Sequence, residues 1–554
     1  MPDMDTKKPR GRQQEAVESS ANCLLVIAPP GCGKTEVLAM RAEHLLASGK
    51  IRPNRRILAI TFTNRARDNL RSRLEEQLGG NRLRSSILVA NFHELSARIV
   101  EAHHRTIGLA PGFTYPRPAW LRRALSELTS DRARHRQVKE ILGSLKREPL
   151  TDGQLVERIR ETGNSDVLAL EERRLEANYI DFGDLLRHTQ LLLRNKRVSH
   201  LFQLHFDAIL VDEFQDLSLQ QYEITQHMCS RNITYVGDPH QGIFGWAGAD
   251  PVHVLQDIRS RADQTIDLDV NFRSSPAVLR VINSVSSSLG SAPLHAAEPE
   301  EWKSGDHAYA VQYATDSDEA AGIVSLTDYL AEKCPEDTVG VICRAEYRRS
   351  ALNSAYENAR YTPQFWDYAL DNPRVTRLLK RHSKHVDAGL TFDQQVDELR
   401  ERATGSFNPA DVDAISEVHE ACEQLMQHTD SNLPLSEFMN RLRDTTMSAI
   451  SPGVHVLNAH VGKGQQFDWV VVMGLEEGHV PSSYSTTPAE VLEDQRILLV
   501  MLSRARKGVF LTCARSNRNQ YGRLFHNEAS RWWTDMESSC QPLSPSVAVA
   551  MRVM

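Results

Sequence analysis

The chain has 554 residues, of which 41% are hydrophobic, and its formal net charge is −7. At about 150 residues per domain, this length predicts three or four domain-sized units. The mild acidity excludes a protein that is basic throughout and coats nucleic acid by charge alone.

The eight cysteines form no C-x-x-C pair and have no regular spacing. This pattern argues against a disulfide framework or a zinc module and favours a reducing compartment. The amino-terminal stretch MPDMDTKKPRGRQQ is polar, so we expect no signal peptide. No apolar run reaches about 18 residues, so we expect no membrane span. These features predict a cytoplasmic protein.

Short apolar runs rich in Val and Ile recur along the chain, and such runs are typical of buried parallel strands with helices between them. A first set lies at 22–29, 56–63, 86–92, 207–213 and 233–238, and a second set at 265–272, 337–344, 453–460, 468–475 and 508–514. Two tandem α/β layers are the economical interpretation. Helical patterns interrupt each set, at about 101–200 and about 346–450, which predicts two helical insertions.

Charge is uneven within the first set. Nine arginines but only three acids lie between Arg52 and Arg84. A basic face on a mildly acidic protein fits a defined track for nucleic acid. The alternative interpretation is a solvated helix face.

The segment APPGCGKT, residues 28–35, lies between a predicted strand and a predicted helix. This is the context of a phosphate-binding loop, in which backbone N–H groups and the helix amino terminus hold phosphate oxygens. Lys34 is expected to reach the β- and γ-phosphates, and Thr35 to bind Mg²⁺. The loop predicts ATP as cofactor, with these residues around the phosphates: Ala28, which stands where the usual pattern has Gly, Pro29, Pro30, Gly31, Cys32, Gly33, Lys34 and Thr35.

The stretch FDAILVDEFQDLSL, residues 206–219, runs from an apolar strand into Asp212 and Glu213. Alone, it is equally well explained by a strand that enters a polar loop. Beside a phosphate-binding loop it predicts a Walker B pair, in which Asp212 holds Mg²⁺ and Glu213 orients and deprotonates the attacking water.

From about residue 12 to 514, the order of the motifs resembles that of superfamily 1 DNA helicases of the UvrD/Rep/PcrA type. VDEFQD, for example, is close to the D-E-x-Q-D signature of that family. The resemblance implies two tandem RecA-like P-loop domains, each interrupted by a mainly helical insertion. It also implies an enzyme that uses ATP and Mg²⁺ to move 3′–5′ on single-stranded DNA and to open forked DNA.

The resemblance divides the chain into two split domains and two insertions. The segments are 1–100 and 201–275 for the first RecA-like domain, 101–200 for its insertion, 276–345 and 451–554 for the second domain, and 346–450 for its reduced insertion. About 40 residues after the last predicted strand are too few for a fused nuclease domain.

Further nucleotide contacts are implied by matches to the family motifs in RQQEAV, VGDPHQ, VNFRSS, HVGKGQQF and VMLSRA. The implied roles are adenine reading by Gln13, nucleotide contact by Arg41, γ-phosphate sensing by Gln241, adenine stacking by Phe272, phosphate contact by Arg273, a place at the cleft for Lys463 and Gly464, and a second arginine finger at Arg504.

DNA contacts are implied by ITFTNRARDNL, NFHEL, GIFGWAGAD and NAHVGKG. The matching residues are Thr61, Phe62, Asn64, His93, Phe244, Trp246 and His460. Rings that stack on bases stabilise a bound strand by about 1–3 kcal/mol per base, and Phe62 and Trp246 are the candidates. The alternative interpretation makes both rings core aromatics.

The chain departs from the family pattern at several positions. Ala247 replaces the usual Arg, Ser503 replaces Thr, and 465–466, Gln-Gln, replaces Leu-Glu and removes a carboxylate expected near the nucleotide. Two other functions stay open. One is a DNA-sensing ATPase subunit that unwinds weakly and works with a nuclease partner in an anti-phage defence complex. The other is a P-loop enzyme, such as a kinase, for a small substrate.

Overall fold

The computed structural model describes residues 9–116, 118–129, 131–243, 248–302, 306–357, 359–366, 373–407, 450–518 and 524–553, and, within the second insertion, 415, 418–419, 421–422, 425–426 and 435–440. Two six-stranded sheets follow one another along these ranges. The predicted α/β class with two tandem RecA-like domains is confirmed. Over the same ranges, no helix is both long and apolar enough to span a bilayer.

The first sheet has the strand order β3–β2–β4–β5–β1–β6, with every neighbouring pair parallel. Its strands are Cys23–Ile27 (β1), Arg56–Thr61 (β2), Ile87–Asn91 (β3), Phe206–Asp212 (β4), Ile233–Gly237 (β5) and Gln264–Asp267 (β6). All residues of β4 are buried, which explains its unbroken apolar sequence. Because the strands are parallel, the segments that follow β1, β2, β4 and β5 meet at one edge of the sheet.

The second sheet is also parallel and has the order β11–β12–β10–β13–β14–β9. In chain order the remaining strands are Val270–Asn271 (β7), His295–Ala296 (β8), His307–Tyr313 (β9), Thr338–Cys343 (β10), Gln364–Trp366 (β11), Gly453–Asn458 (β12), Phe467–Val472 (β13), Ala505–Ala514 (β14), Ser516–Arg518 (β15) and Leu524–His526 (β16). β7 pairs with β8, and β15 with β16, as separate two-stranded ribbons.

The assignment of the run 265–272 to the second set was wrong. β6 lies in the first sheet beside β1, where Leu24 pairs with Gln264. Two strands of the second sheet were not predicted. β9 has the mixed sequence HAYAVQY, and β11 is only three residues long and lies at the sheet edge inside a predicted helical insertion. A half-polar strand and a very short strand give little periodic signal.

Helices cover the sheets and fill the insertions. In the first domain they are Arg12–Glu18, Lys34–Ala47, Asn64–Leu78, Gly80–Ser86, Phe92–His103, Leu219–Met228 and Pro251–Arg261, and in its insertion Pro118–Leu128, Arg132–Leu145, Asp152–Glu161, Ser165–Glu176, Phe182–Arg194 and Lys196–His205. In the second domain they are Pro276–Ser286, Asp316–Lys333, Ser350–Tyr356, Ala459–Gly462, Pro488–Leu502, Trp533–Ser538 and Pro545–Ala550, and in its insertion Pro373–Ser383, Phe392–Thr404 and Leu435–Asn440.

One apolar core joins the two sheets. It includes Leu24 and Val236 of the first sheet and Val470 and Leu511 of the second. The insertions have small cores of their own. The shared core holds the two domains against each other, so residues that follow strands of both sheets face a common cleft.

Candidate functional site

The loop after β1 has a backbone conformation that allows a ligand to approach its N–H groups closely. Gly31 and Gly33 both have φ of 82°, a conformation that favours glycine. A Cβ on Gly31 would lie 2.5 Å from Nδ2 of Asn271, and one on Gly33 would lie 2.8 Å from Nε2 of Gln13. Lys34 then begins the helix Lys34–Ala47, whose amino terminus favours an anion. The loop therefore has the geometry of a phosphate cradle.

The remaining loop residues support this geometry. The backbone N–H of Ala28 donates to the carbonyl of Gly237 at 2.8 Å, which fixes the start of the loop to β5. Ala28 and Cys32 are buried, while Pro29, Pro30 and Thr35 are partly exposed. Thr35 is thus accessible beside Lys34, as a Mg²⁺ ligand in this position must be.

Gln13 and Arg41 have different places in the structure. Nε2 of Gln13 donates to the carbonyl of Cys32 at 3.0 Å, so this side chain touches the loop directly. Arg41 is fully buried, and its guanidinium donates to the carbonyls of Ala16 and Val17 and to Oγ1 of Thr234. This geometry does not support a direct nucleotide contact by Arg41. Its contacts instead fix the helix that carries Gln13.

The acidic pair follows β4 at the same edge of the sheet. Glu213 adopts a left-handed backbone conformation with φ of 54°. Its Oε2 lies 3.7 Å from Nζ of Lys34 and accepts a hydrogen bond of 2.6 Å from Nε2 of Gln215. Asp212, at the end of β4, accepts from the backbone N–H of Glu213 at 3.1 Å. The structure therefore places the predicted base beside the predicted phosphate-binding lysine.

Electrostatics at this edge favour a bound cation. Burial and the neighbouring Glu213 raise the pKa of Asp212 to about 7, and burial raises that of Asp216 to about 6. Burial also acts on Glu213, but Lys34, Lys463 and the bond from Gln215 outweigh it, so its pKa is lowered. The buried carboxyl groups of Asp212 and Asp216 and the partly exposed one of Glu213 lie near two lysines. Carboxylate and hydroxyl oxygens are the ligands that Mg²⁺ prefers, and Asp212 and Thr35 are the residues predicted to hold it.

A chain of hydrogen bonds links the acidic pair to the segment after β5. Oε1 of Gln215 accepts from the backbone N–H of Asp238 at 3.0 Å, and Nε2 of Gln241 donates to Oδ2 of Asp238 at 2.8 Å. Gln241 is buried. The predicted γ-phosphate sensor is thus tied to the residue that holds Glu213.

Lys463 of the second domain closes this network from the other side. Its Nζ donates to both carboxylate oxygens of Asp216 and to the carbonyl of Gln241, each at 2.8 Å. Gly464 follows with φ of 81° and turns the chain toward β13. The predicted place of Lys463 at the cleft corresponds to a bridge between the domains. Gln466, at the position of the missing carboxylate, is exposed.

Two arginines from the second part of the chain lie near Glu213. Arg504 is buried and donates to the carbonyls of Val500 at 2.8 Å and Gln465 at 3.2 Å. Burial and the neighbouring Arg273 lower the pKa of Arg504 to about 9. Burial lowers the pKa of Arg273 to about 10, although Glu213 acts in the opposite direction. Both side chains are therefore cationic at neutral pH, and both interact electrostatically with Glu213.

Comparison with known proteins identifies the family of this chain. A family model for the UvrD/REP helicase N-terminal domain matches residues 10–261, and a model for the UvrD-like helicase C-terminal domain matches 372–516. The chain belongs to the UvrD/Rep helicase family. ATP-dependent DNA helicase PcrA of Leuconostoc citreum is 26% identical over 94% of this chain and 84% of its own length. PcrA of Bacillus subtilis (strain 168) is 25% identical over the same shares.

Membership of the UvrD/Rep family makes the chain an ATP-hydrolysing enzyme of the DNA-helicase class. The exposed ring of Phe272 fits the adenine-stacking position of a helicase. Its side chain is 43% exposed, and its backbone N–H donates to the carbonyl of Gly31 at 2.9 Å. An aromatic ring that is held against the phosphate loop and open to solvent can cover a base.

The helicase residues predicted to contact DNA after β2 and β3 lie together. Oδ1 of Asn64 accepts from Nδ2 of Asn91 at 2.5 Å, which joins the segments after the two strands. Thr61 is buried, with its hydroxyl donating to the carbonyl of Thr63. The ring of Phe62 is partly exposed. The residues that follow β2 and those that follow β3 therefore lie side by side at the ends of these two strands.

His93 and His460 are both neutral in this helicase. Burial lowers the pKa of His93 to about 4, and its ring packs edge-on against Phe182 with 5.5 Å between centroids. Burial and the nearby cations of Arg344 and Lys463 lower the pKa of His460 to about 4. In the chain without DNA, both imidazoles are therefore neutral at pH 7. Phe244 and Trp246 lie outside the described residues.

Three of the nine arginines between 52 and 84 make hydrogen bonds or ion pairs with strands of the first sheet. Arg52 pairs with Asp207 at the amino-terminal side of the first sheet, whereas Thr61 lies at the other end of β2, about 20 Å along a six-residue strand. Arg56 and Arg71 donate to the carbonyls of Ile87 and Val89 on edge strand β3. These contacts favour a structural role for this part of the run, and the local basic face for nucleic acid stays a prediction.

Sequence reasoning missed Asn271, which precedes Phe272 and Arg273. Its Nδ2 donates to the carbonyl of Pro30 at 2.7 Å, and its Oδ1 accepts from the backbone N–H groups of Arg273 and Ser274 at 2.8 Å each. It therefore ties the phosphate loop to the residues that are predicted to contact the nucleotide. The available signal was an Asn directly before the polar turn FRSS, where Asx turns are frequent.

Proposed function

We propose that this UvrD-like helicase moves 3′–5′ on single-stranded DNA by hydrolysing ATP between its two domains. The observation that carries the proposal is the shared site. Glu213 and Lys34 come from the first domain, while Lys463 reaches Asp216 from the second and Arg273 and Arg504 lie near Glu213. A site built from both domains links hydrolysis to their relative movement.

The residues have separable tasks in this proposal. Lys34 and the loop N–H groups bind the phosphates, and Phe272 covers the adenine that Gln13 reads. Glu213 accepts a proton from the attacking water at Oε2, which Gln215 orients. Arg504 and Arg273 neutralise charge that develops on the γ-phosphate oxygens. Mg²⁺, when bound at Asp212 and Thr35, neutralises further phosphate charge.

The route from hydrolysis to DNA runs through the segment after β5. Gln241 senses the γ-phosphate and is bonded to Asp238 on one side and to Lys463 on the other. Loss of the γ-phosphate therefore alters a contact between the domains. The segment that continues into 242–248 carries the predicted base-contacting rings, so the same change reaches the bound strand.

The direct test is ATP hydrolysis by the purified chain with and without oligo(dT), together with stopped-flow translocation on strands labelled at the 5′ or the 3′ end. We expect stimulation by single-stranded DNA and arrival at the 5′ end. ATP turnover that ignores DNA would support the small-substrate P-loop enzyme instead, and arrival at the 3′ end would overturn the proposed direction.

Trp246→Ala is expected to lower the translocation rate and DNA-stimulated ATP hydrolysis more than it lowers nucleotide affinity. The reason is the loss of one stacked base, worth about 1–3 kcal/mol. Stopped-flow translocation measures the first effect and nucleotide titration the second. Translocation equal to that of the unmodified chain would make Trp246 a packing residue.

The reduced insertion at 346–450 suggests that the isolated chain translocates well but unwinds long duplexes poorly. A nuclease or other defence-system partner that supplies regulation or cleavage stays a prediction, as does the cytoplasmic location. Comparing the chain alone with its co-purified complex on forked duplexes with 3′ tails tests the partner. Strong unwinding by the chain alone would remove the reason for one.

A further inference from the structure

The segment that is predicted to contact DNA bases contains no basic side chain that could bind the DNA phosphates. Residues 242–249, GIFGWAGA, contain neither Lys nor Arg, and Ala247 stands where the family pattern has Arg. A nucleic-acid strand laid on this segment brings one phosphate per nucleotide. About half to two-thirds of the hydrogen bonds between proteins and DNA go to phosphate and sugar. A cation from elsewhere in the chain is therefore needed here.

Arg147 of the first insertion provides such a cation. It lies just beyond the helix Arg132–Leu145 and is exposed. A Cβ on Gly248 would lie 3.2 Å from Cζ and 3.3 Å from Nε of Arg147, so the guanidinium rests directly against Gly248. Among the described residues, no carboxylate forms an ion pair with Arg147. The charge is thus positioned beside Gly248, and no described carboxylate neutralises it.

The residue before it fixes this position. Lys146 is 3% exposed, and its Nζ lies 2.5 Å from a carboxylate oxygen of Asp181 and 3.0 Å from one of Asp184. The carbonyl of Lys146 accepts a hydrogen bond of 3.2 Å from Nε2 of Gln220, on the helix that follows the Walker B segment. The backbone that carries Arg147 is therefore anchored to both the insertion and the first domain.

We propose that Arg147 is a DNA-binding residue whose guanidinium contacts a phosphate of the bound strand where that strand passes Gly248. A guanidinium is suited to this contact, because it is always charged and can donate two parallel hydrogen bonds to one phosphate. The inference rests on the proposed function and adds to it. It gives the first insertion a direct part in holding the translocating strand.

The test measures the affinity for fluorescent oligo(dT) as a function of salt concentration for the whole chain and three variants. Arg147→Ala should weaken binding at low salt several-fold and flatten the slope of log K against log salt by about 0.7, the value for one single-strand phosphate contact. Arg147→Lys keeps the charge and should retain most of the slope. Arg136→Ala removes an exposed arginine from the preceding helix and should leave both quantities unchanged.

Thermal unfolding of each variant distinguishes a loss of binding from a loss of folding. Because Arg147 and Arg136 are both exposed, we expect the thermal midpoints to be unchanged. A salt slope of Arg147→Ala equal to that of the unmodified chain would overturn the inference while leaving the proposed function intact. Failure of the unmodified chain to bind oligo(dT) at any salt concentration would overturn both. The two failures are therefore distinguishable within one data set.

Discussion

Glu213→Gln is expected to lower DNA-stimulated ATP hydrolysis about 10²–10⁴-fold, the contribution of a positioned general base. The amide retains the shape of the side chain but cannot take a proton from water. Nucleotide affinity should change little, because the loop and Lys34 hold the phosphates. Phosphate release and nucleotide titration measure the two effects.

The local structure explains why this carboxylate is suited to the task. Its pKa is lowered by Lys34 and Lys463 against the effect of burial, so it is ionised at neutral pH and ready to accept a proton. The bond from Gln215 fixes its direction. Burial and the neighbouring Glu213 raise the pKa of Asp212 to about 7, so a cation bound beside it would favour its ionised form.

Two further variants make the Glu213 result specific. Glu76→Gln removes an exposed carboxylate paired with Arg73 on the helix Asn64–Leu78 and should hydrolyse ATP normally. Lys34→Ala should lose nucleotide binding as well as turnover, unlike Glu213→Gln. Normal turnover by Glu213→Gln would show that another group activates the water.

The features that were best predicted from the sequence are site motifs that directly follow a buried strand. APPGCGKT and VDEF each follow a buried parallel strand, and parallel strands bring such loops to one edge of a sheet. The proximity of Lys34 and Glu213 follows from that rule. Assignment of a strand to one sheet or the other obeys no comparable local rule, which is why Gln264–Asp267 was placed in the wrong set.

Contacts between distant segments could not be predicted from the sequence either, because they depend on how the two sheets pack. Lys463 and Asp216 are separated by 247 positions, and only the packing of the two sheets on one core brings them together. Arg41 is a different case. Its position in a motif suggested a ligand contact, but burial among backbone carbonyls gives it a structural role. The positive charge of a side chain did not show whether it bridges the domains, as Lys463 does, or supports a helix, as Arg41 does.

Arg273→Ala is expected to lower the maximal rate of ATP hydrolysis about 10³–10⁵-fold, the effect of an arginine that stabilises transition-state charge in phosphoryl transfer. Burial lowers its pKa to about 10, so the lost group is a cation at neutral pH. Arg273→Lys should recover only part of the rate, because an ammonium lacks the planar pair of donors. Single-turnover hydrolysis with saturating ATP and DNA measures the change.

Arg506→Ala is the matched control, since Arg506 is close enough to affect the pKa of Arg273 but is exposed and lies 3.5 Å from Asp468. Its loss should leave hydrolysis nearly unchanged. Arg504→Ala should differ from Arg273→Ala in a second respect. Arg504 is buried and donates to Val500, Gln465 and Ser503, so its removal should lower the thermal midpoint as well as the rate. A rate for Arg273→Ala within a few-fold of the unmodified chain would assign the transition-state role to Arg504 alone.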